Sequence, residues 1–282
     1  MKPFLLIISF CFAHALYAWP GNSIDTTRPF VLGVVQTMQS SILGEERTLN
    51  IYLPTDYNVK DSILYPVVYL LDGTADEDFI HIAGLIQFMN FPWVDMLPKS
   101  ILVGIANVDR RRDYTFPTSI KKDKEDFPTT GRSENFINFL EKEVQPFIAN
   151  NYKTTASSTI IGQSLGGLVA TEILFKRPEL FTNYLIISPS LWWDNESLLR
   201  VYPKINAPIF TKATSIYIAV GKEGEKMVGD AKKLESILRN ARKKNVTVNF
   251  EYFNAENHAS ILHNAVYKGF ELMNRKSKLK KN

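Results

Sequence analysis

The chain has 282 residues, 45% of them apolar, with 33 Lys and Arg against 29 Asp and Glu and a net charge of +4. That length is enough for one substantial core, and so mild a charge, part of it in the C-terminal run Arg275 to Lys281, does not read as nucleic-acid binding. The one cysteine, Cys11, falls in an expected leader, so the mature chain would have no disulfide, thiol nucleophile or thiolate metal site.

The leader is read over residues 1–18. Lys2 starts it, Phe4 to Phe12 is a short apolar run, Ala13-His14-Ala15 is an A-x-A cleavage pattern, and Ala18 offers a second site. The run is too short to span a membrane. A buried N-terminal strand is the other reading. The first implies an exported protein, periplasmic or secreted, with residues 19–282 as a single domain.

Phe30 to Gln39 and Arg47 to Leu53 alternate and are rich in β-branched residues, which predicts two antiparallel strands joined around Gly44. Tyr65 to Leu71 is a continuous apolar run, as in a strand buried on both faces, and it ends in Asp72-Gly73-Thr74. Residues 79–90 have helical spacing. Ile101 to Ala106 is the next buried strand. A long polar segment follows at 107–132, with Arg110, Arg111 and Arg112 in a row, and so long a loop is usually functional or mobile. Residues 133–149 read as a helix. Further strands end at Ile187, at Val220 and at Phe253, with a helix over 228–243 and another at the C-terminus. From about residue 65 strands alternate with helices, which predicts an α/β fold with a mostly parallel sheet, antiparallel N-terminal strands and helices on both faces. Such sheets carry their sites at the carboxyl ends of strands.

Gly162-Gln163-Ser164-Leu165-Gly166 joins a β-branched run to a helical one and matches G-x-S-x-G. A serine at so tight a turn is strained, with its Oγ exposed above the sheet. The N–H of Leu165 opens the helix and would face an oxyanion. A glycine-rich turn with an incidental serine is the competing reading. A nucleophilic serine needs a base. His14 lies in the leader, His81 in a predicted helix, and His263 in the apolar pattern of the last helix, where it reads as packed or at the surface. His258, in a polar loop after the final strand, is the candidate base. The acid should follow the strand ending near Val220, where Glu223 and Glu225 both stand, Glu223 being preferred; Asp230 reads as helix. The second oxyanion donor should be the N–H of Gly73 or Thr74, while the Asp72 side chain reads as structural.

Leu70-Leu71-Asp72-Gly73, Gly162 to Gly167, Ser188-Pro189-Ser190-Leu191-Trp192-Trp193 and Glu256-Asn257-His258 together resemble the putative-esterase branch of the α/β-hydrolases. That branch includes esterase D-like enzymes, feruloyl esterases and periplasmic siderophore esterases, and the resemblance covers roughly residues 30–273. It implies an α/β-hydrolase fold and a serine esterase, with Ser164 as nucleophile and His258 as base. Some siderophore esterases of this type work with a Ser–His pair and no obvious acid. The family's usual acid lies three residues past the strand-ending glycine, and that position here is Gly224. Trp192, Trp193 and the segment with Arg110 and Arg112 resemble family segments that line the pocket mouth; core packing and a salt-bridged loop are their bland alternatives. A guanidinium cluster beside the site would favour an anionic small-molecule ester. The expected reaction is ester hydrolysis through an acyl-enzyme, with no metal or cofactor implied. A serine peptidase or acyltransferase on the same fold, or a binding protein with a relic site, are the rival expectations.

Overall fold

A computed structural model describes residues 27–278. The expected leader, residues 1–18, lies outside the described residues. Thr27 to Val31 carry no regular element and belong to a separate unit; from Leu32 onward the chain forms one compact unit.

Eight strands build one sheet: β1 (Val34–Ser40), β2 (Glu45–Tyr52), β3 (Tyr65–Leu71), β4 (Ile101–Ile105), β5 (Thr154–Gln163), β6 (Asn183–Ile187), β7 (Thr214–Gly221) and β8 (Val246–Phe253). Their order is β1-β2-β4-β3-β5-β6-β7-β8. The β1–β2 and β2–β4 pairs are antiparallel and all others parallel. This is the fold class expected from the alternation of strands and helices.

The period of two along β3 decides the layers. Val67, Tyr69 and Leu71 face a core completed by α4 (Ser133–Phe139), α5 (Gln145–Asn151), α6 (Leu165–Lys176) and α8 (Gly224–Asn240). Val68 and Leu70 face the opposite core, completed by α1 (Phe79–Met89) and α9 (Ile261–Lys278). Both faces are covered, which is why β3 reads as an unbroken apolar run. The helix expected over 133–149 is α4 and α5 joined through a π-turn at Leu140–Val144, with Pro146 inside the first turn of α5.

The 107–132 segment departs from the loop expected there. It contains α2 (Arg110–Tyr114) and α3 (Lys121–Asp126). Asp109 caps α2, its side chain accepting from the Arg112 N–H. A buried charge network then anchors α2 to the sheet. Arg47 of β2 and Asp113 are both fully buried and meet at 2.6 Å, and Arg112 bonds Asp113 at 2.7 Å and Glu45 at 2.5 Å. The Arg47 guanidinium also lies over Phe136 and Phe139. Removing one member leaves unpaired buried charge. Asp113→Ala is therefore expected to destabilise the fold by about 3–5 kcal/mol in urea unfolding. A loss below about 1 kcal/mol would mean that the network contributes no more than exposed pairs do.

Candidate active site

Gly162 ends the buried part of β5, and a Cβ there would stand 2.3 Å from the Gly166 carbonyl oxygen. Only glycine lets α6 start so close to the strand. Ser164 consequently sits in the turn with φ 60° and ψ −119°, a strained value for a side-chain-bearing residue. Its N–H donates to Ile187 O at 3.1 Å, and its carbonyl accepts from Leu168 and Ser190. Leu165 is the first residue of α6, so its N–H has no intrahelical acceptor.

Ser164 lines a cleft of about 500 Å³ together with Gln163, Arg110, Asp72, Glu77, Asp78, His258 and His263. His258 lies beyond the carboxyl end of β8, on a loop held from three sides. The Asn257 side chain accepts from the Ala259 N–H at 2.9 Å. The Lys222 N–H donates to Glu256 O at 2.7 Å. The Gln163 side-chain amide donates to the His258 carbonyl. His258 Nδ1 meets Glu223 Oε2 at 2.5 Å. Burial pushes the Glu223 pKa up, but hydrogen bonds from His258, Ser188 and the Gly221 N–H outweigh it and hold the carboxyl below its ordinary value. Glu223 is thus an ionised acceptor for the imidazole. Glu225 is exposed in the first turn of α8 and is not brought to His258. Asp230 lies within α8 and pairs with Lys226 at 3.5 Å.

Four further expected site residues, Gly73, Trp192, Trp193 and Arg112, do not take the places expected of them. The Gly73 N–H donates to Ile105 O at 3.0 Å and so is taken by the sheet, leaving Thr74 as the candidate oxyanion donor of that loop. Trp193, which opens the short α7 (Trp193–Glu196), is fully buried, with Nε1 donating to Phe116 O at 2.9 Å, and is a core residue; Trp192 is half-buried beside it. Neither lines the cleft around Ser164. Arg112 belongs to the buried Glu45–Asp113 network. Arg110 does line the cleft, but one edge of its guanidinium, Nε and Nη2, is held by Asp72 at 2.7 and 3.0 Å, and Nη2 also donates to Gln163 O at 3.2 Å. Asp72, also bonded by Asn107, is the structural turn residue it reads as in the sequence.

The surroundings of the cleft hold contacts that the sequence does not assign. Ser190 is buried, with its hydroxyl 3.3 Å from Ser164 Oγ. On the α1–α9 side, the His263 and His81 rings stack at 3.4 Å, and His263 Nε2 stands 3.4 Å from Asp78 Oδ1 without hydrogen-bond geometry. Burial, and then the neighbouring His263, lower the His81 pKa below its ordinary 6.5; Asp78 opposes them. An imidazole depressed in the folded state gains its proton more readily when unfolded. Its contribution to stability is therefore present above pH 6.5 and is lost as pH falls through the lower folded value. The urea midpoint is expected to fall between about pH 7 and about pH 5, and His81→Gln should flatten that dependence. An unchanged slope in the variant would remove His81 as the cause. Among the described residues, no cluster of three or more His, Cys, Asp or Glu is arranged to hold a metal ion. Nor is any described helix long and apolar enough to cross a membrane.

The family model described as Putative esterase matches residues 40–269. The ferri-bacillibactin esterase BesA of Bacillus subtilis is 28% identical over 261 residues, covering 84% of this chain and 88% of that protein. Among solved structures, an IroE-like serine hydrolase from Shewanella oneidensis superposes with a TM-score of 0.78 at 28% identity, covering 86% of this chain and 80% of that one. The BES protein from Bacillus cereus superposes at 0.77, also at 28% identity, over 88% of this chain and 97% of that one.

Proposed function

Since the chain belongs to the putative esterase family and is a carboxylic ester hydrolase, we propose that it cleaves siderophore esters through an acyl-enzyme on Ser164. The observation that best supports the catalytic part is the 2.5 Å contact of His258 Nδ1 with Glu223, beside a serine strained at a strand–helix turn in the same cleft. With Nδ1–H donated to Glu223, His258 Nε2 carries the lone pair. In the proposed reaction Nε2 takes the proton of Ser164 Oγ as Oγ attacks the ester carbonyl. The N–H groups of Leu165 and Thr74 receive the oxyanion. The imidazolium returns its proton to the departing alkoxide, leaving acyl-Ser164. His258 then deprotonates water, which attacks the acyl carbon; the bond to Ser164 Oγ breaks, Oγ takes the proton back from His258, and the acid is released. Glu223 stays ionised throughout and stabilises the imidazolium.

The substrate class is supported by the ferri-bacillibactin esterase relative, which aligns along most of both chains. The A-x-A leader pattern supports export. The committed arginines argue against a guanidinium cluster as the source of substrate recognition, because Arg110 faces Asp72 and Arg112 faces Glu45 and Asp113. The test is a comparison of kcat/KM for a catecholate siderophore trilactone, a feruloyl ester and a p-nitrophenyl ester. The trilactone is expected to lead by about 100-fold. A lead for the feruloyl ester would overturn the substrate class and leave the acyl-enzyme proposal standing.

A further inference from the structure

Glu223 lies two residues past Gly221, the last residue of β7, and its carboxylate folds back over that strand end. The Gly221 N–H donates to Oε1 at 2.9 Å. A Cβ on Gly221 would stand 3.0 Å from that oxygen and 2.8 Å from Glu256 O, so a side chain there would contest the space the carboxylate occupies. A second donor reaches the same Oε1: Ser188 Oγ, at 2.5 Å. The other oxygen, Oε2, is the one that meets His258.

Ser188 is the first residue past β6 and is fully buried. The register of β6 against β7 puts Ile187 beside Ala219, and the Ser188 N–H donates to Ala219 O at 2.7 Å. This carries the serine across to the end of β7, where Glu223 turns back. Ser188 has φ 42°, in the left-handed region that glycine would adopt without strain. A glycine would satisfy the backbone better, yet the position holds a hydroxyl aimed at the acid. A glutamate with one bond to an imidazole keeps rotamer freedom, and two donors on its far oxygen remove it.

We infer that Ser188 is a positioning residue for the reaction: its hydroxyl, with the Gly221 N–H, fixes the Glu223 carboxylate so that Oε2 faces His258 Nδ1. The inference rests on the proposed role of Glu223 as the orienting acid. It also accounts for an acid two residues past the strand-ending glycine, where Gly224 holds the family's usual position. Glu223 reaches back over the strand end, and Ser188 receives it.

The test is a double-mutant cycle on kcat and KM for p-nitrophenyl ester hydrolysis, using Ser188→Ala, Glu223→Gln and the pair. Ser188→Ala is expected to lower kcat roughly tenfold to a hundredfold with KM little changed. In the Glu223→Gln background the same change should cost less than about twofold, since Ser188 acts only through the carboxylate. Ser188→Gly removes the hydroxyl while relaxing the backbone, and it should lose as much activity as Ser188→Ala. A fully active Ser188→Gly, or an equal loss with and without Glu223, would overturn the inference and leave the triad proposal intact. A Glu223→Gln enzyme with wild-type kcat would instead overturn the proposed acid, and the inference with it.

Discussion

Ser164→Ala is expected to lower kcat for ester hydrolysis by about 10⁴-fold or more, with substrate binding retained. On the proposed mechanism no other group can form the acyl-enzyme. Ser190, whose hydroxyl lies 3.3 Å from Ser164 Oγ, is the nearest hydroxyl partner, but it is buried and does not line the cleft that Ser164 shares with His258. The variant should fold normally, because alanine removes only the hydroxyl and the N–H bond to Ile187 O remains. Steady-state kinetics with matched circular dichroism make the comparison. Retention of more than about a tenth of the activity would require a different nucleophile.

The second large effect is expected at the acid. Glu223→Gln keeps the side chain's shape but removes the charge that stabilises the imidazolium and fixes its tautomer, so kcat should fall by about 10²–10⁴-fold. Glu225→Gln should change kcat by less than about twofold, because Glu225 is exposed on α8, away from the imidazole. The pair of variants separates a Ser–His–Glu arrangement from the Ser–His dyad described for some related esterases. Equal, small effects at both positions would favour the dyad.

The parallel sheet and its strand ends were legible because hydrophobic periodicity reports them directly: Tyr65 to Leu71 and Val246 to Phe253 coincide with β3 and β8. The shape of the turn at Ser164 was legible as well, since glycine at 162 is a local steric demand. What failed to read from sequence depends on contacts between distant segments. Arg112 sits in a run of three arginines, but its partner Glu45 lies 67 residues away on β2. Adjacent tryptophans do not say which points inward, and the bond from Trp193 to Phe116 O, 77 residues away, answers that. The Gly73 N–H looked like an oxyanion donor until the parallel β3–β4 pairing claimed it. Choosing Glu223 over Glu225 required the position of His258, and finding Ser188 required the adjacency of β6 and β7.

The most direct measurement of the central claim is covalent labelling of the full chain with a fluorophosphonate, followed by peptide mapping. The account predicts stoichiometric modification on the peptide holding Ser164, abolished in Ser164→Ala and slowed strongly in His258→Ala, whose imidazole is the proposed base. Labelling at another serine, or undiminished labelling of Ser164→Ala, would contradict the assignment of Ser164 as the nucleophile.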